Sequence, residues 1–213
     1  MVYHFDTMVI TYHGGQCFKV SFGDITLAFD PISKKSKLSE VKFGADVALV
    51  SLRHPDFNGV EQAKHGEKEP FIIDGPGEYE VGDVTVRGFG VATIYDKEPR
   101  FNTIYQVQLE GMNMIFLGAL GAPEIDPKIL GEFGDIDILF IPIGGGDVLE
   151  APQASKLATK LEAKAIIPMH YDKKALEVFL KEEGSDNGKP VDKLTLKKRD
   201  VEGMESEVLV LKS

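Results

Sequence analysis

Short apolar runs separated by glycine turns fill the N-terminal half of the chain, and strand-like runs alternate with helical ones after it. MVITY, QCFKVSF, ITLAF, DVALV, PFIID, DVTVRG, TIYQVQLE and MNMIFL read as strands. SFGDIT and LEGMNM each set glycine between two apolar runs, which is hairpin punctuation. The later half predicts strand DIDILFIPI, helix APQASKLATKLEA, strand KAIIPM, helix DKKALEVFLKEEG and strand EVLVL. In the first of these helices Ala154, Leu157, Ala158 and Leu161 fall on one stripe, and Pro152 stands where a first turn tolerates it. Many strands with a few one-sided helices predict sheets covered by helices on their outer faces. DVALV and DILFIPI both begin at an aspartate and end in a loop, a hint of two similar halves that stops short of a repeat.

Composition narrows the class. With 213 residues, 43% hydrophobic and 27% charged, the chain reads as a soluble globular protein. No low-complexity linker divides it, so one domain over residues 1–213 is expected. No apolar run approaches the roughly 20 residues of a membrane span, so no membrane association is expected. The stretch MVYHFDTMVITYHGG lacks a basic n-region, and the single Cys17 excludes an internal disulfide. Both fit a cytoplasmic protein, with Cys17 as a buried thiol. A net charge of −10 argues against nucleic acid. KLTLKKRD, which gathers Lys193, Lys197, Lys198 and Arg199, reads as a solvated strand edge guarded by lysines. His4 and His65 read as surface residues, His13 at the end of the first strand as a satisfied structural histidine or, second, a pocket-lining one, and residues 183–193 as a surface loop.

ITYHGGQCFKV, LAFDPI, DVALVSLRHPDF, GPGEYEV, MIFLGALG, ILFIPIGGG and AIIPMHYD follow one another between Met8 and Asp172. In this order they resemble the segments of the metallo-β-lactamase superfamily, and most closely its ascorbate-6-phosphate lactonase-like branch. The resemblance implies α/β architecture, a four-layer αββα sandwich, with an active site at the strand ends between the sheets. It also implies two metal ions, held by a His-x-His-x-Asp-His loop, a further His, a bridging Asp and a final His. Imidazole and carboxylate suit zinc, manganese or iron, and paired ions lower the pKa of a bridging water.

Followed residue by residue, that ligand set is broken. The loop here runs Leu52, Arg53, His54, Pro55, Asp56, Phe57, so His54 and Asp56 remain while Leu52 and Phe57 replace two histidines. Ala119 stands at the bridging Asp, the region of the intermediate His (Val91 to Thr93) holds none, and His170 matches the final His. An early Gly-His pair reads Gly14-Gly15, with His13 before it. The three survivors would be divided between two metals, whereas a catalytic zinc ordinarily takes three protein ligands.

His54, Asp56 and His170 could regroup as a two-His, one-carboxylate set around one ion. The favoured alternative is a polar cluster in which Asp56 accepts from His54, Arg53 or His170 and ties the sheets together. For Gly144 to Gly146 an anion-binding cradle and a tight turn remain open alternatives. Glu78 and Glu80 alternate on one face of a strand, and no GxSxG elbow is present. The expected function is that of a hydrolase-like protein with a degenerate dinuclear site, non-catalytic, retaining a ligand-binding or assembly role. The alternatives are a single-metal hydrolase of a small ester, lactone or phosphate, and a structural, oligomerising protein. No cofactor is expected; if one is used, it is a single divalent zinc, manganese or iron ion. The candidate partners are a small anionic molecule and further copies of the chain.

Overall fold

The expected strands assemble into two mixed sheets. A computed structural model describes residues 7–185 and 189–213, which leaves His4 outside. The first strands are β1 (Met8–Tyr12), β2 (Phe18–Phe22), β3 (Ile25–Phe29), β4 (Val47–Leu49) and β5 (Phe71–Ile73). They are followed by β6 (Gly77–Val81), β7 (Val84–Tyr95), β8 (Glu98–Leu109), β9 (Met112–Phe116) and β10 (Ile138–Pro142). The last are β11 (Ala165–Met169), β12 (Leu194–Leu196) and β13 (Glu207–Val208). One sheet has the order β12-β1-β2-β3-β4-β5 and the other β13-β11-β10-β9-β8-β7-β6.

The period of two decides which side chains meet. Leu27, Phe29, Val47 and Leu49 from the first sheet face Val107, Met114, Phe116, Phe140 and Ile167 from the second, forming the main core. Residues of the opposite phase, such as Leu139, Ile141 and Ile166, face outward under helices α1 (Pro127–Glu132), α2 (Ala151–Leu161) and α3 (Lys173–Glu182). Strands β10 and β11 are buried on both faces, which explains their unbroken apolar runs. The outer face of the first sheet is small-residue territory, Ala28 and Ala48, covered by Phe43 and the 3-10 turn Val60–Gln62. The architecture is the expected α/β sandwich of two mixed sheets.

The hint of two halves has a structural counterpart. In each sheet an antiparallel meander (β1-β2-β3, β7-β8-β9) runs into parallel pairing (β3-β4-β5, β9-β10-β11). Asp46 before β4 accepts from the Thr26 amide at 2.8 Å and pairs with Lys68 at 2.6 Å. Asp137 before β10 accepts from the Asn113 amide at 2.8 Å and pairs with Lys164 at 2.8 Å.

Several elements differ from the expectation, the short helix α1 and the 3-10 turn among them, since neither was expected. DVTVRG and TIYQVQLE are parts of two continuous 12-residue strands, paired from Val84↔Leu109 to Tyr95↔Glu98. Glycines and a proline obscure the period there. A short helix α4 (Lys198–Glu202) follows β12, so KLTLKKRD is an edge strand and then a helix. Its Lys198 is no free guard, because it donates to the buried Asp137 carboxylate at 2.6 Å. No helix among the described residues is long and apolar enough to cross a membrane.

Candidate functional site

The loop after β4 and the ends of β7, β9 and β11 meet at one edge of the sandwich. Leu52, Phe57, Ala119, Tyr95 and Val148 form a separate buried cluster there. Phe57 is fully enclosed, its ring 4.9 Å from that of Tyr95 and 6.2 Å from that of His170. The side chains at two expected metal-histidine positions and at the bridging-carboxylate position therefore pack as hydrocarbon against one another.

The surviving polar residues are bound into the same corner. Asp56 accepts from the Ser36 hydroxyl at 2.5 Å and from the Tyr95 phenol at 2.9 Å. Burial first, and then the Asp56 charge, raise the Tyr95 phenol above its ordinary range, so it stays a donor. His54 lies beside Asp56, with Nδ1 3.5 Å from Oδ2 and accepting from the Asp56 amide at 3.2 Å. Its Nε2 is 3.9 Å from Asp96. Since Asp56 follows β4 and Tyr95 ends β7, their bond links the two sheets.

His170 sits across Phe57 from this pair. Its backbone is left-handed, with φ 52°, and its amide donates to the Gly15 carbonyl at 2.7 Å. Its Nδ1 is 3.2 Å from the buried Gln16 amide nitrogen. Burial pushes the ring below the ordinary histidine range, while Asp56 and Asp147 act the other way. The structure thus joins His54 to Asp56, and it gives His170 a different polar partner.

The polar cluster differs from the expected one in its donors. Arg53 pairs with Asp74 at 3.1 Å, and hydroxyls of Ser36 and Tyr95 serve Asp56. Tyr95 lies two residues beyond Val91 to Thr93, the stretch where the resemblance implies a further histidine. Thr93 and Asn102 were also missed. Asn102 binds the Leu117 carbonyl and the Ala119 amide, and Thr93 donates to the Ala119 carbonyl at 3.0 Å. These bonds pin the Ala119 loop from β7 and β8, and nothing in the local spacing announces them.

Other expected residues are accounted for locally. Gly145 and Gly146 have φ 74° and 68°, and a Cβ on Gly144 would lie 2.1 Å from the His170 carbonyl oxygen. Turn geometry and close approach therefore explain all three glycines. The adjacent start of α3 already holds a carboxylate, since Asp172 accepts from the Ala175 amide at 2.8 Å. His13 stacks on Phe43 at 5.0 Å, Cys17 is buried and His65 is exposed.

A dinuclear metal centre of the kind the fold implies does not fit this donor set. Among the described residues, no three His, Cys, Asp or Glu side chains gather where they could hold an ion. Asp56 is already engaged by two hydroxyls.

Comparison with known proteins places the chain. A family model described as a beta-lactamase superfamily domain matches residues 9–170. A UPF0173 metal-dependent hydrolase of Listeria innocua is 29% identical over 196 residues, covering 78% of this chain and 86% of the relative. The UPF0173 metal-dependent hydrolase YtkL of Bacillus subtilis is 29% identical over 197 residues, covering 78% and 86%. A crystal structure of a proposed Zn-dependent hydrolase of the metallo-beta-lactamase superfamily from Thermotoga maritima superposes with TM-score 0.73. It is 31% identical and covers 96% of this chain and 98% of its own. By fold, by family match and by relatives, the chain belongs to the metallo-β-lactamase superfamily.

Proposed function

We propose that this protein is a hydrolase-like member of its superfamily in which an apolar plug has replaced the dinuclear centre, leaving a binding role without metal-dependent hydrolysis. The observation that carries this reading is the enclosed packing of Leu52, Phe57 and Ala119 with Tyr95 and Val148. An ion entering here would have to displace Phe57 and break both hydroxyl bonds to Asp56. Buried hydrogen bonds to a charged group contribute about 1.5–3 kcal/mol each, so the closed arrangement resists that exchange.

The names of the relatives, metal-dependent hydrolases at 28–29% identity, favour one competing reading. In it His54, Asp56 and His170 close around a single divalent ion, with His54 as ligand or proton carrier, on a small ester, lactone or phosphate. Metal content measured by mass spectrometry separates the two, after growth and dialysis with zinc, manganese and iron. The plug reading expects less than about a tenth of an ion per chain. About one ion per chain, lost in His170→Ala, would establish the single-metal site instead.

A further inference from the structure

Near the plug, and sharing no lining residue with it, lies a cavity of about 380 Å³ between the Gly75–Pro76 turn and the first residues of β8. The Gly75–Pro76 turn that forms one side of it packs tightly on β7. In the middle of β7, a Cβ on Gly88 would come within 2.9 Å of the Gly75 carbonyl oxygen, and one on Gly90 within 3.0 Å of the Pro76 ring. Glycine inside a strand weakens it and marks a place where another backbone comes close. Here the two glycines let Pro76 lie directly on the strand.

The opposite side carries an aromatic without a partner and a cation without a carboxylate. Phe101 is 81% exposed at the rim, more than any other large hydrophobic among the described residues, ahead of Ile94 and of Phe71 at 50%. Arg100 is half-buried and held by backbone only. Its Nε donates to the Tyr95 carbonyl at 3.2 Å and one terminal nitrogen to the Arg53 carbonyl at 3.3 Å. Among the described residues no carboxylate pairs with it, whereas the neighbouring Arg53 is paired with Asp74. A guanidinium has five N–H donors in a fixed fork, so Arg100 keeps unused donors in a fixed direction. In a chain of net charge −10, which repels anions at long range, an unpaired and fixed cation lining a concave site is a local reversal of sign.

We infer that this cavity binds a small molecule with a planar apolar body and one anionic group, carboxylate or phosphate. The body stacks between Phe101 and the Pro76 wall, and the anion meets Arg100. The volume falls within the range of small-molecule sites, roughly 300–1,000 Å³. Asp74 tempers the site by holding Arg53 away from the ligand. The inference deepens the binding reading above and rests on it, while its site residues are different ones.

Isothermal calorimetry on the full chain after dialysis against a chelator tests it, with phenylacetate, phenyl phosphate and the uncharged phenylacetamide as probes. Binding of at least one anion at about millimolar affinity or better is expected, with phenylacetamide about tenfold weaker. Whichever of the two anions binds more tightly identifies the anionic group. Arg100→Gln is expected to weaken binding about tenfold, and Phe101→Ser, at an exposed position that the fold does not need, about threefold. Asp74→Asn, which frees Arg53, is expected to tighten it about threefold. Absence of heat with both anions up to about 10 mM, or affinity unchanged in both Arg100→Gln and Phe101→Ser, would overturn the assignment. Anion binding that appears only after zinc is restored would overturn it too, and would leave the single-metal reading standing. A metal-loaded protein whose anion binding is indifferent to zinc would instead sink the plug and keep this pocket.

Discussion

The two edges of the sandwich hold their carboxylates in opposite ways. Where β4 and β10 begin, Asp46 and Asp137 take a backbone amide and lysines, and Asp137 has two of them, Lys164 and Lys198. At the other edge Asp30 takes only Ser51, through amide and hydroxyl at 2.6 Å each, and Asp56 takes hydroxyls of Ser36 and Tyr95. Desolvation works against Asp137 as well, but the lysines and the Asn113 amide outweigh it and hold the carboxyl below its ordinary range. Asp30, fully buried and without a cation, is driven by desolvation up to about 8 despite its hydrogen bonds. Asp30 and Asp137 are thus shifted in opposite directions, because only Asp137 has compensating lysines.

The comparison can be broken at several points. The largest effect is expected from Phe57→Ala, which empties the apolar plug and should destabilise the fold by about 3–5 kcal/mol, measured by urea unfolding. Should it fall below about 1 kcal/mol, the plug is not a packed unit. Asp137→Ala is expected next, at about 3 kcal/mol. It leaves two lysines facing a buried vacancy, although their own partial exposure moderates the loss.

The pH dependence sharpens the contrast. Asp30 binds its proton more tightly folded than unfolded, so its contribution is complete below 3.8 and is lost as pH rises toward 8. The slope in that window is at most about 1.4 kcal/mol per pH unit. Asp137 has the opposite sign, contributing above the ordinary carboxylate range and losing it only as pH falls below 3.8. His170 also adds stability as pH rises through the histidine range, so the wild-type curve mixes signs. Subtracting the Asp30→Asn stability curve isolates the Asp30 component, and a flat difference between pH 4 and 8 would refute the buried neutral carboxyl. The smallest effect belongs to Asp46→Ala. Its side chain is 29% exposed and its Lys68 partner 65%, so about 0.5 kcal/mol is expected. A loss matching that of Asp137 would erase the distinction between the two positions.

Much of this was legible in the chain before any coordinates. Strands whose apolar period is two or unbroken, such as β1, β3, β10 and β11, lie where the patterning put them, and α2 buries its expected stripe at Ala154, Leu157 and Ala158. The hairpin of β7 and β8 was cut short because Gly88, Gly90 and Pro99 carry no hydrophobic period. Helix α4 was missed because five residues, three of them charged or basic at its start, leave too few apolar positions to show a stripe. At the site, the apolar residues Leu52, Phe57 and Ala119 were visible, while their joint enclosure was not.

The sequence alone determined a strand-rich chain with helices on outer faces, through the period of its apolar residues. It also determined that Leu52, Phe57 and Ala119 stand where the resemblance implies metal ligands. Those are properties of residue type and local period. The tertiary structure alone decided which groups satisfy the buried charges. Tyr95 reaches Asp56 across 39 residues, and Lys198 reaches Asp137 across 61. A hydrogen bond depends on distance in space, and separation along the chain carries no trace of it until the two sheets have closed.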